Sequence, residues 1–215
     1  MVEAVLILPL VAWLVLAALQ LVWIFWAQQL LANTSHYVLR AGQLHHGDMA
    51  MMRQVLATGM AATQVNTSGA ALNAEESVRE HVWRATAQAL LHSQLAAQIR
   101  ILTPTAQQTQ TYSERRYDLR LQQWVQEIAI DHVAARLHET QDADAWLAAR
   151  QLQLEIWWCF PLEVPWVSGV LQQSRRWRNH PAQQFCQLRE AAVGKPLWPL
   201  IVQRQGPMQS GYRGN

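Results

Sequence analysis

From residue 4 to residue 39 the sequence has no Asp, Glu, Lys or Arg. A helix on the surface of a water-soluble domain carries charge on its outer face, so this absence excludes an ordinary solvated helix there. Lysine is almost missing as well: Lys195 is the only one. The formal charge of +2 is near balance, so charge gives no reason to expect a nucleic-acid partner. There is no Gly-rich phosphate loop, no Gly-x-Ser-x-Gly elbow and no Cys-x-x-Cys, which removes the common signatures of nucleotide, serine-hydrolase and thiol-redox chemistry. No cofactor motif is present, and no acid, base and nucleophile converge in the pattern, so the chain reads as non-enzymatic. A membrane-tethered hydrolase would need such a constellation.

What fills the uncharged stretch is apolar. Ala4 to Ala27 is interrupted by one polar residue, Gln20. At about 1.5 Å per residue this run is long enough for a hydrocarbon core of about 30 Å. The sequence therefore predicts a transmembrane helix over 1–27. A secretory signal peptide would open with a basic flank and a shorter apolar core. Here the only early charge is the acid Glu3, which is costly inside a bilayer unless it is paired or interfacial. The missing basic flank is expected if the sequence is a processed form or starts downstream of a natural start.

Beyond the run, residues 28–64 contain no proline, and Met52, Val55, Leu56 and Met60 recur at helical spacing. An amphipathic extension of the first helix is expected there, with Gly42 and Gly47 marking a break. Residues 65–215 then read as one domain. Val65 to Leu72 is a loop, and Asn73 is a candidate cap for a second helix. The apolar face of that helix would be Val78, Val82, Ala85, Leu90, Leu91 and Leu95. Strands are expected at Gln98–Leu102, at Leu152–Phe160 (where Leu152, Leu154 and Ile156 alternate with polar residues) and at Leu197–Gln205. Asp142 or Asp144 caps a single turn over Ala145–Ala149, residues 119–138 fit helix and strand equally, and the tail from Gln209 is expected to be mobile. The fold class is α+β: one long N-terminal helix, then a small antiparallel sheet packed with helices.

Other residue clusters point to bland roles. His45, His46 and Asp48 are adjacent, so on a helix they diverge, and His132, His138 and Glu139 lack the spacing that puts two ligands on one helix face. The Arg175, Arg176 and Arg178 cluster reads as a solvated loop. Eleven tryptophans are many for 215 residues; Trp157, Trp158, Trp166, Trp177 and Trp198 group near the C-terminus and suit a small aromatic core. Cys159 sits between Trp158 and Phe160, surroundings that disfavour a thiolate. Two cysteines in an exported domain permit one disulfide, Cys159–Cys186, although the count alone does not establish it.

Several segments, in order, are similar to one family. Val2-Glu3 opening an apolar run with an early proline, Pro9, resembles the start of TadE-like pseudopilins, minor components of the tight-adherence (Flp-type) pilus system. Val38-Leu39-Arg40-Ala41-Gly42 resembles the family's helix end. Met52-Arg53-Gln54-Val55-Leu56-Ala57-Thr58-Gly59, Ile99 to Thr105, Trp158-Cys159-Phe160-Pro161-Leu162 and Gln203 to Ser210 resemble its later segments, whereas residues 106–140 match poorly.

The resemblance implies a pilin-like, single-pass protein of the bacterial inner membrane with its C-terminal domain in the periplasm. It implies cleavage by a prepilin peptidase just before the mature helix, with other pilins, pseudopilins and the assembly machinery as partners. Glu3 would pair with a neighbouring subunit's N-terminal amine within the lipid. The rival expectation is a single-span, membrane-anchored binding module with no place in a filament.

Overall fold

The structure is a computed structural model, and it describes residues 2–64, 75–139, 142–175 and 180–214. The expected Val65–Leu72 loop, the Asn73 cap and most of the Arg175–Arg178 cluster lie outside the described residues. The fold is α+β, led by a 43-residue helix, α1 (Val2–Leu44). The apolar run continues into it without interruption at residue 27.

The extension over 28–64 is two helices, broken at Gly47 as expected, whereas Gly42 lies inside α1. α1 stops at Leu44, and α2 (Met49–Met60) follows after a short turn. Gly47 makes the turn with φ of +81°, a conformation that side chains with a Cβ rarely adopt. Asp48 then caps α2, its side chain accepting a hydrogen bond from the Ala50 N–H at 2.7 Å. α2 runs back along α1: Gly42 lies against Met52, and Gly59 lies against Thr34. Both glycines let the helices approach closely. Met52, Leu56 and Met60, three of the four residues expected on the apolar face, are buried.

A 3-10 turn at Ala61–Gln64 ends this hairpin, and α3 (Glu75–Ala96) follows. The orientation of α3 differs from the expected one. It buries Ala85, Ala89, Ala96, His92 and Ser93, and leaves Val82, Trp83, Leu90, Leu91 and Leu95 exposed. Small residues on the inner face allow α3 to sit close to its neighbours, so the larger apolar side chains face outward.

The main sheet has the order β1-β4-β5, all antiparallel: β1 (Ala97–Thr103), β4 (Gln151–Pro161) and β5 (Leu197–Pro207). The three expected strands are these three. β4 is the centre, buried on both faces from Leu154 to Phe160. Its even-numbered side chains, Leu152 to Phe160, join the core formed with Leu31, Val38, Met52, Leu56 and Met60 of α1 and α2. On the opposite face Trp157 and Cys159 meet α8 (Pro181–Val193), where Phe185 packs edge-on against Trp157. Pro181 opens α8 and Gly194 closes it at φ of +72°, the usual asymmetry of helix ends.

Between β1 and β4 lie α4 (Ala106–Tyr112), β2 (Ser113–Asp118), β3 (Gln123–Ile128), α5 (Val133–Glu139) and α6 (Ala143–Ala149). β2 and β3 form a separate hairpin, so the ambiguous 119–138 stretch is turn, strand and then helix. Asp142 caps α6, accepting from Ala145 N–H at 3.0 Å. α7 (Pro165–Arg175) follows β4.

The tail beyond Gln209 is held, contrary to expectation. Ser210 N–H donates to Gln43 O at 2.9 Å, and Arg213 N–H donates to His46 O at 3.1 Å. Tyr212 and Ile128 exchange two backbone bonds. Arg213 reaches Glu127 at 3.0 Å and Asp118 at 2.6 Å. The tail thus ties the α1–α2 turn to the β2–β3 hairpin.

Candidate membrane helix and its junction with the domain

α1 is shared between two environments. Toward its N-terminus, Ile7, Leu8, Leu10, Val11, Leu14, Val15 and Leu19 are all exposed. Almost none of this apolar segment is buried inside the structure. A core helix of a soluble protein would be covered by its own domain, and this one is not. α1 is therefore a helix long and apolar enough to cross a membrane.

The domain begins to cover the helix at Gln20, which is 1% exposed. Its Oε1 accepts from the backbone N–H groups of Glu163 at 3.2 Å and Val164 at 3.1 Å. These N–H groups follow β4, where Pro165 begins α7, and they need an acceptor. The single amide in the apolar run is thus the point where the domain docks. Nothing in the sequence reading marked it as more than an interruption; its isolation among apolar residues was the available signal.

Further along, the buried face of α1 is Ala27, Leu31, Thr34, Ser35, Val38 and Leu39, the three-and-four spacing of a helix packed on one side. Gln28 Nε2 donates to Ile201 O at 3.2 Å, and Arg204 Nη2 donates to Ala32 O at 3.3 Å. Trp23, Phe25 and Trp26 stay about half exposed, aromatic residues at the level where the apolar segment meets the domain. An open, mostly apolar groove of about 400 Å³ lies between Leu21, Ile24 and Phe25 of α1 and Trp198 to Ile201 of β5.

The expected site residues fall in two places. Glu3 is in the first turn of α1, and its side chain lies outside the described residues. Pro9 is inside α1, where it lacks the N–H that would bond to the carbonyl four residues earlier. Cys159 and Cys186 come together at disulfide distance, their Cα atoms 5.5 Å apart, both fully buried. They link β4 to α8 across the outer face of the sheet. His92 of α3 lies beside them, donating from Nε2 to the Cys159 carbonyl at 2.8 Å and packing on Trp158. Burial holds its pKa below the ordinary 6.5, and the hydrogen bond to Cys159 offsets this in part. His46 takes a structural place in the α1–α2 turn: its ring nitrogen lies 2.8 Å from Gly211 O. Among the described residues, His, Cys, Asp and Glu form no cluster of three with metal-binding geometry.

No family profile, curated protein or solved structure matches the chain.

Proposed function

We propose that this chain is a structural, non-enzymatic pseudopilin of the TadE-like kind, supporting assembly of a type IV-like (Flp/Tad) pilus through helix–helix contacts in the inner membrane. The observation that carries the reading is the division of α1. An exposed apolar segment headed by Glu3 runs without a break into a half gripped by the folded domain from Gln20 onward. One rigid element then transmits any contact made in the lipid to the domain outside. The ordered sequence resemblances from Val2 to Ser210 support the same reading.

In this reading residues up to about Gln20 lie in the lipid, Trp23 and Trp26 sit at the interface, and the domain is periplasmic. The cysteine pair suits an oxidising compartment. Glu3 sits in lipid without a charged neighbour within α1, so a partner's amine would offset the cost of burying it. Electron microscopy of cells carrying Glu3→Ala, with membrane fractions blotted in parallel, tests this. The expected result is membrane-inserted protein at wild-type level with piliation abolished. Normal pili in that variant would remove the assembly role and leave a tethered binding module.

A further inference from the structure

The β2–β3 hairpin has two unlike faces. Cross-strand partners share a face, so the Glu114/Glu127 pair and Asp118 lie on one side, while Arg115/Gln126 and Tyr117/Trp124 lie on the other. Every acid of the hairpin is engaged on the first side. Glu114 is held by Arg136 at 2.7 Å, and Glu127 and Asp118 are held by Arg213.

The second side has no acid. Trp124 is 58% exposed and Tyr117 47% exposed, their rings edge-to-face at 5.4 Å. Arg115 lies over the Trp124 ring at 4.9 Å, and among the described residues neither Arg115 nor Arg120 has an acidic partner. At the tip, Leu119 is 84% exposed and Leu121 53% exposed.

The tip is also pre-formed. Asp118 Oδ1 accepts from the backbone N–H groups of Arg120 at 2.8 Å and Leu121 at 3.1 Å, so little ordering remains to oppose binding. From the end inward the hairpin presents Leu119 and Leu121 with Arg120 between them, then the Tyr117–Trp124 pair with Arg115 alongside. Leucines suit the acyl boundary and aromatics the interfacial zone, and long arginine side chains reach back from either depth to phosphate headgroups.

We propose that this hairpin tip docks on the surface of an anionic phospholipid bilayer, with Leu119 and Leu121 entering the headgroup–acyl boundary and Arg115 and Arg120 meeting phosphates. The bilayer is a second one, not the one that would hold α1. The hairpin is rooted at the far end of α1 through the Tyr212–Ile128 bridge and the Arg213–His46 bond. Gln20 to Leu44 covers about 36 Å of helix, whereas a six-residue strand pair extends only about 20 Å. The chain therefore becomes a bridge between two lipid surfaces. Placing α1 in a bilayer rests on the reading above; lipid docking by the hairpin does not.

The test uses the full chain reconstituted in neutral phosphatidylcholine vesicles and mixed with a second, dye-labelled vesicle population. That population is either phosphatidylcholine alone or phosphatidylcholine with phosphatidylglycerol, and capture is read by co-flotation. Capture of the phosphatidylglycerol vesicles is expected. Arg115→Gln with Arg120→Gln should weaken it about 30-fold, given roughly one decade or less per surface arginine. Leu119→Ser with Leu121→Ser should weaken it at least several-fold. All four residues are exposed, and an unchanged thermal unfolding midpoint of the detergent-purified chain reports that the variants are folded. No capture, equal capture of both populations, or capture that survives both double substitutions overturns the proposal. So does binding that requires a protein or acidic polysaccharide coat on the target vesicle. If α1 proves not to insert, vesicles of both kinds added to the detergent-purified chain still read hairpin docking on its own.

Discussion

At the level of single residues, two positions carry more than their size suggests. Gly47 sits at positive φ with the Tyr212 ring where a Cβ would go, 2.5 Å from that position. Gly47→Ala combines left-handed strain with overpacking, and should lower stability by about 2–3 kcal/mol. It should also free the C-terminal tail, and thermal unfolding of the detergent-purified chain would show the loss. His92 is the second. It is neutral and buried in the fold, so the unfolded chain takes up its proton first as pH falls. Its contribution is complete above 6.5 and is lost as pH drops from 6.5 toward its lowered native value. Stability should therefore decline from pH 7 to pH 5, and His92→Gln should flatten that decline. An unchanged slope in the variant would place the acid sensitivity elsewhere.

At the level of elements, legibility in the sequence followed the local pattern. Leu152, Leu154 and Ile156 alternate because one face of β4 is core, and the continuous run to Phe160 appears where α8 covers the other face. β2 has no such pattern. Ser-Glu-Arg-Arg-Tyr-Asp places ion pairs on one side and solvent on the other, so no apolar period marks it. α4 and α8 did leave end signals: the Thr105–Gln108 capping box and the Pro181…Gly194 bracket. The tail left none, because its partners Gln43, His46, Asp118 and Glu127 are distant in sequence. Arg213→Ala removes the cation shared by Asp118 and Glu127. Hydrogen exchange should then accelerate at Met208–Arg213 and across β3, with β4 unchanged; uniform acceleration would mean the latch belongs to the global fold.

At the level of the whole molecule, one helix joins an apolar segment to a folded domain, and the junction begins at a single amide, Gln20. The apolar run was plain in the sequence from its missing charges. Where it ends was not: composition continues to Ala27, whereas the packing of Glu163 and Val164 on Gln20 puts the edge of the domain about two turns earlier. α3 could not be oriented from pattern either, since its small residues face inward and its large ones outward. The two proposals, Glu3 as an assembly residue and the hairpin as a lipid contact, both start from this junction.

The account rests most directly on α1 being divided between lipid and domain at Gln20. Single cysteines at Leu10, Leu14 and Leu19, and at Phe25, Gln29 and Asn33, can be treated with a membrane-impermeant maleimide in spheroplasts, the native Cys159–Cys186 pair serving as the unlabelled background. All six positions are exposed in the protein itself, so any shielding comes from the membrane or from subunits packed within it. The first three should resist labelling until detergent is added, and the last three should label at once. Labelling of Leu10 and Leu14 in intact membranes would contradict the account.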